Sequence, residues 1–213
     1  MNPILRLFKS LFKKINYNLH KIEPLNIEHE FPDSNNFEKE IFNICSEYSM
    51  TSHERMFALM KSIEFIKQNN VEGDFVECGV WKGGNLILFQ KFIDKYNFNK
   101  KIYAYDTFEG MSNPEKVDET FKGESSIDLL NKLSKKKVDR KKNILIADCS
   151  IEDVKKNFKK FSNKNNLICI KGPVEKTLDI KENLPNKISI LRLDTDWYSS
   201  TKKELEILFP LLE

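Results

Sequence analysis

Four short apolar runs, at 75–78, 102–105, 167–170 and 188–193, constrain this chain more than any other feature. Each is followed by a helical pattern or a long crossover: 84–96 after the first, a polar loop after the second, a short turn of helix after the third and 199–209 after the fourth. Continuous apolar runs of this length read as strands buried on both faces, and their alternation with helices indicates parallel βαβ units. The expected fold is α/β, a Rossmann-like, doubly wound, mostly parallel sheet. Ahead of it, Met56, Leu59, Ile63 and Ile66 recur at helical steps, and Thr51 with Glu54 forms the pattern of a capping box. A helix over 52–69 follows. Residues 143–147 (NILIA) read either as a strand or as the extended entry to a helix that starts at Ser150 and Asp153 and runs to Phe161.

The first strand runs into Glu77-Cys-Gly79-Val-Trp81-Lys-Gly83-Gly84, where the next helix begins. Glycines at a strand-to-helix turn let backbone approach a ligand, and the helix start offers free N–H groups, so a nucleotide-type cofactor is implied. The second strand ends at Asp106, 22 residues beyond Gly84, where an acid in such a fold accepts hydrogen bonds from a ribose diol. The glycine spacing is G-x-x-x-G-G, and the Glu77 carboxylate before the turn would repel a pyrophosphate and attract a cation. S-adenosylmethionine, with a sulfonium, an ammonium and no phosphate, fits this pocket better than NAD. The plain alternative, that Gly79, Gly83 and Gly84 only permit tight packing, leaves the acids at the strand ends unexplained. At the fourth strand's carboxyl end stand Asp194 and Asp196, and alternation along an extended chain puts both carboxylates on one side, a start for a hard-cation site. The competing role for either is to cap the helix that begins near Ser199.

Four blocks, VECGVWKGG (76–84), AYDTFEGM (104–111), IKGPVEKTL (170–178) and LRLDTDWYSSTKKELEILFP (191–210), resemble in order and spacing the signatures of the macrocin O-methyltransferase (TylF-like) family of class I S-adenosylmethionine-dependent methyltransferases. The resemblance covers about residues 50–213. It implies that Glu77, Gly79, Trp81, Gly83 and Gly84 line the methionine end of the cofactor, that Asp106, Thr107 and Phe108 hold its ribose and adenosine, and that Ser150 and the Gly172 turn border the adenine. Pro173 stands where the family often has an aromatic residue. Asp194 and Asp196 become the catalytic pair, with Asp194 a ligand to a divalent cation, Mg²⁺ by expectation, that binds the hydroxyl to be methylated. The implied acceptor is a small molecule or glycan, a sugar hydroxyl of a glycosylated natural product or polysaccharide. The resemblance also implies a further βα unit after Glu213 carrying the remaining metal carboxylates, so the sheet is expected to lack its C-terminal strands. Two other readings compete: a NAD(P)-dependent Rossmann oxidoreductase, and a catalytically inactive cofactor-binding or interaction remnant.

Composition narrows the classes. Lys plus Arg number 35 against 32 Asp plus Glu, a net +3 that gives no warrant for a nucleic-acid partner. An apolar fraction of 40% supports a packed core. Cys45, Cys78, Cys149 and Cys169 are expected reduced and mostly buried, and His20, His29 and His53 lack metal-ligand spacing. With no membrane-length apolar stretch and no signal-peptide cleavage site, the expected compartment is the cytoplasm. Residues 1–40 divide off as a basic amphipathic helix (1–19) with a Pro-containing linker behind it, and 41–213 form the methyltransferase domain. The basic helix suits a peripheral membrane contact, its own domain, or a second subunit of a homo-oligomer. Between Lys132 and Lys142, seven basic residues and one acid read as a solvated face or flexible loop rather than as a patch for an acidic ligand.

Overall fold

The computed structural model describes residues 32–120, 122–135 and 149–213. The basic helix at 1–19, most of the linker and of the 132–142 basic run, and the 143–147 segment lie outside the described residues. The compact body begins at Asn36 with helix α1 (Asn36–Cys45), inside the stretch that the sequence assigns to the N-terminal segment. Next come α2 (His53–Asn69), β1 (Asp74–Cys78), α3 (Gly84–Tyr96), β2 (Ile102–Asp106) and α4 (Ser126–Lys135). The chain continues through α5 (Ile151–Lys159), β3 (Leu167–Lys171), the short α6 (Val174–Thr177), β4 (Ile188–Leu193) and α7 (Tyr198–Ile207).

All four strands run parallel, in the order β3-β2-β1-β4. Strands added after β1 therefore go first to one side and then to the other, which opens a crevice at the carboxyl ends where the order reverses. Side-chain alternation splits the core into two layers. Phe75, Ile102, Ala104 and Ile190 join buried residues of α1, α2, α3 and α5, such as Ile41, Ile63, Phe89 and Val154. Val76, Cys78, Tyr103, Tyr105 and Ile188 pack on the opposite face with Val174, Leu178 and Leu208. The four cysteines carry free thiols, and Cys45, Cys78 and Cys149 are buried. No helix among the described residues is long and apolar enough to cross a membrane.

One local expectation fails. The residue that caps α2 is Ser52, not Thr51, and its side chain makes no cap hydrogen bond. Thr51 is instead buried, its hydroxyl accepting from Asn85 Nδ2 at 3.1 Å and Arg192 Nη2 at 2.9 Å. Two long-range donors have captured the oxygen that a capping box would have used locally. Ser150 behaves as the pattern says: it caps α5, accepting from the Asp153 N–H at 3.1 Å and donating to Asp153 Oδ2 at 2.8 Å.

Candidate functional site

A cavity of about 310 Å³ lies at the carboxyl ends of the strands. It receives Gly79 and Trp81 after β1, Asp106 and Thr107 at the end of β2, Gly172 and Glu175 after β3, and Asp194, Asp196 and Trp197 after β4. Met50, Thr51 and Arg55 contribute from the start of α2, and Met111 and Ser112 from the loop after β2.

The turn after β1 is built by close approach. Gly79 has φ +79°, and a Cβ there would stand 2.5 Å from the Asp194 carbonyl oxygen. The Gly79 N–H reaches the Tyr105 carbonyl at 2.8 Å, and the Asp194 N–H reaches the Cys78 carbonyl at 2.8 Å. Glycine at this position thus brings the ends of β1, β2 and β4 together. Asp106 completes the turn: its Oδ2 accepts from the Val80 N–H at 2.7 Å and the Trp81 N–H at 3.2 Å, and its Oδ1 from the Phe108 N–H at 2.8 Å. A carboxylate offers about four lone-pair directions. The Thr107 hydroxyl also stands 3.5 Å from Oδ1, but its one proton goes to the Gly110 carbonyl at 2.5 Å, so Oδ1 keeps one acceptor direction.

Glu77 sits elsewhere than the charge argument required. It is 1% exposed, beneath the turn, and does not line the cavity. Glu77 and Arg192 are register partners across β1 and β4, and Arg192 Nη1 donates to Glu77 Oε1 at 2.6 Å, while Asn85 Nδ2 donates to the same oxygen at 2.8 Å. Burial pushes its carboxyl up to about 7, with Arg192 and Asn85 pulling the other way. Glu77 Oε2 is buried without a hydrogen-bond partner among the described residues. The acids that do face the cavity are Asp106, Glu175, Asp194 and Asp196, against the single guanidinium of Arg55 among the lining residues. The lining is anionic, through residues other than the one the sequence singled out.

Gly84, Gly83, Phe108 and Ser150 are also absent from the lining. A Cβ on Gly84 would meet Ser49 Cβ at 2.5 Å and the Cys45 carbonyl at 2.8 Å, so this glycine serves the packing of α3 against the turn that follows α1. Gly83 abuts Val154 of α5. Phe108 is buried in the core. Gly79, Trp81, Asp106, Thr107, Gly172, Asp194 and Asp196 are brought together, and Pro173 joins them.

Asp194, Thr195 and Asp196 all line the cavity, and the Thr195 hydroxyl donates to the buried Glu204 of α7, at 3.1 Å and 3.0 Å to the two oxygens. Burial raises the Glu204 carboxyl to about 7. Asp194 Oδ2 pairs with Arg192 Nη1 at 3.0 Å. The Asp196 carboxyl is raised above its ordinary value, first by desolvation and then by the charge of Asp194. Trp197 does not stand alone, since its indole N–H donates to the Ser112 carbonyl at 2.9 Å. One residue on, the Tyr198 N–H donates to Asp118 Oδ1 at 2.8 Å, while Asp118 Oδ2 accepts from the Glu115 N–H at 2.6 Å. The loop after β2 is thereby tied to the start of α7. Sequence reasoning missed Arg192, Thr51, Arg55, Glu175, Asp118 and Glu204. An arginine inside a largely apolar strand was the one available signal, and its partner depended on a register the sequence does not state.

The family model of macrocin-O-methyltransferase (TylF) matches residues 13–213. The chain belongs to the TylF family. Demethyldecarbamoylnovobiocin O-methyltransferase of Streptomyces niveus is 26% identical over 165 residues, which is 76% of this chain and 57% of that protein. The 8-demethyl-8-(2,3-dimethoxy-alpha-L-rhamnosyl)-tetracenomycin-C 4'-O-methyltransferase of Streptomyces olivaceus is 26% identical over 167 residues, 78% of this chain and 58% of that one. This TylF chain therefore spans less than two thirds of the length of these relatives. The solved O-methyltransferase NovP superposes with a TM-score of 0.62 at 26% identity, covering 78% of this chain and 63% of that chain. A calicheamicin methyltransferase matches at TM-score 0.52 and 17% identity, over 92% of this chain and 81% of that one, a likeness of fold alone. Membership of the TylF family favours methyl transfer over the nicotinamide reading.

Proposed function

We propose that this protein is an S-adenosylmethionine-dependent O-methyltransferase whose acceptor is a sugar hydroxyl of a glycosylated natural product or polysaccharide. The observation that carries the reading is the acid-rich lining at the reversal of strand order: Asp106, Glu175, Asp194 and Asp196 surround a glycine turn. Such a wall suits a cationic, phosphate-free donor and opposes a diphosphate. The rhamnosyl substrate in the name of the Streptomyces olivaceus relative supports the sugar acceptor.

When bound, the donor supplies an electrophilic methyl group on sulfur. The chain's own residues do the rest. Asp106 holds the turn through the Val80 and Trp81 N–H groups and offers Oδ1 to a ribose hydroxyl. Asp194, held by Arg192, orients the acceptor hydroxyl, and Asp196 takes its proton as the oxygen–methyl bond forms and the sulfur–methyl bond breaks. The raised carboxyl of Asp196, pushed up by its desolvation and by the charge of Asp194, strengthens it as a base once ionised. Asp194 and Asp196 are also the side chains that would hold Mg²⁺. Arg192 already occupies Asp194 Oδ2, and no group of three ligating side chains exists among the described residues, so the pair as it stands does not fit a cation site, and no step is routed through one.

Calorimetric titration with S-adenosylhomocysteine and, separately, NADH tests the donor. We expect binding of the first only, weakened at least about tenfold by Asp106→Ala. For the transfer step, Asp196→Asn is expected to lower turnover by about 100-fold or more while S-adenosylhomocysteine affinity stays put. NADH binding, or normal turnover in that variant, would overturn the respective assignment.

A further inference from the structure

Between the end of β4 at Leu193 and the start of α7 at Tyr198, four residues carry both of the carboxylates that act on the acceptor. The sheet holds the first of them, since the Asp194 N–H reaches the Cys78 carbonyl at 2.8 Å. At the other end, the Trp197 indole is held by the Ser112 carbonyl. In the middle the tie is a side chain. Thr195 shares its one hydroxyl proton between the two oxygens of Glu204, at 3.1 Å and 3.0 Å, and Thr201 Oγ1 of the same helix stands 3.5 Å from the Thr195 oxygen. Thr195 lines the cavity, whereas Glu204 lies outside the lining.

Glu204 is a costly residue for its place. It is 0% exposed, on the face of α7 that leads to the core residue Leu208, and the buried Cys78 thiol neighbours its carboxyl. An apolar side chain would fill such a volume without desolvating an acid, so packing alone gives no reason for a glutamate. Its reach does. Helix α7 is fixed by Leu208 in the core, by Ser200 Oγ donating to Glu175 at 2.6 Å and by Lys203 pairing with Asp179 at 2.5 Å. From that fixed helix the carboxyl grips the one residue that stands between the two reacting acids. A short connector has many conformations of similar energy, and two carboxylates on it act together only when one of these is selected.

We propose that Glu204 is a positioning residue for methyl transfer: through the Thr195 hydroxyl it fixes the 194–197 segment, so that Asp196 meets the acceptor oxygen while Asp194 orients it. The role rests on the transfer reading above. It requires an acceptor oxygen at 204 and a hydroxyl at 195, and it requires no contact of Glu204 with donor or acceptor.

Two measurements on the 213-residue chain test it. Turnover is read with S-adenosylmethionine and methyl α-L-rhamnopyranoside, and amide hydrogen exchange is read on peptides spanning 193–198, which needs no acceptor. Thr195→Val and Glu204→Ala should each lower kcat at least about tenfold while S-adenosylhomocysteine affinity, by calorimetry, stays unchanged. Both should speed exchange at 193–198 and leave β1 and β2 as they were. Thr195→Ser, which keeps the hydroxyl, and Glu204→Gln, which keeps an acceptor, should recover most of the lost rate. The double variant Thr195→Val/Glu204→Leu strands no charge and keeps the fold safe, yet it should remain as slow as Thr195→Val alone, because the two residues act as one tie. Wild-type turnover in the double variant would show that the pair only satisfies itself, and would overturn the proposal. So would unchanged exchange at 193–198 in Thr195→Val, or a loss in Glu204→Gln equal to that in Glu204→Ala, which would assign the effect to charge. A fall in S-adenosylhomocysteine affinity in step with kcat would reduce Glu204 to a structural role. Failure of the wild type to bind S-adenosylhomocysteine would overturn the donor reading itself, a result distinct from failure of the tie, which the exchange measurement reads alone.

Discussion

At the scale of single residues, the site depends on groups that are costly to place. Gly79 combines a positive φ with a backbone approach that leaves no room for a Cβ. Gly79→Ala is expected to destabilise the protein by at least about 2 kcal/mol, read as a fall in Tm, because both the left-handed conformation and the contact with the Asp194 carbonyl oppose it. Arg192 compensates a carboxylate that has no access to water. Arg192→Met should cost about 3 kcal/mol in chemical denaturation at pH 8, since it strands Glu77. Glu204 provides a pH test. Its folded carboxyl is raised from 4.5 to about 7, so the folded state binds the proton more tightly than the unfolded state does. Stability from this group is therefore full below pH 4.5 and is lost as pH rises through 7. Glu204→Gln, which can still accept from Thr195, should raise Tm by several degrees at pH 8 and change it little at pH 4.5. A pH-independent difference would remove ionisation as the cause.

Among the elements, the loop between β2 and α4 matters beyond its own residues. It reaches the mouth of the cavity at Met111 and Ser112, and it is pinned by Trp197 to the Ser112 carbonyl and by Asp118 to the Tyr198 N–H. Asp118 is buried and accepts from both sides, so Asp118→Ala leaves two backbone donors short of a partner. We expect a loss of about 1–3 kcal/mol and faster proteolytic cleavage near residues 110–125, with the sheet's protection unchanged. Helix α2 illustrates the same dependence on distant partners. Its apolar spacing and its extent, His53–Asn69, were readable from sequence, because periodicity along one helix is a local property. Its first turn was misread, because the fate of the Thr51 hydroxyl is decided by Asn85 and Arg192, 34 and 141 residues away.

For the molecule as a whole, β1 and β2 are the interior strands of the sheet, covered on both faces, and β3 and β4 flank them. Amides of β1 and β2 should exchange with solvent only through global unfolding, whereas those of the loop after β2 should exchange through local opening; comparable rates in both would contradict that layering. The sequence by itself determined the four strands, their helical crossovers and the α/β class, since hydrophobic runs, glycine turns and strand-end acids are written into short stretches of chain. It also marked Gly79, Asp106, Gly172, Asp194 and Asp196, whose positions at strand ends follow from topology alone. Only the tertiary structure decided what their neighbours do. Register set Glu77 opposite Arg192, turning the acid expected to face a cofactor into half of a buried pair and leaving the cavity's negative charge to other residues. Pairing of strands distant in sequence is a cooperative outcome of the packed core, and local pattern does not encode which side chain will meet which.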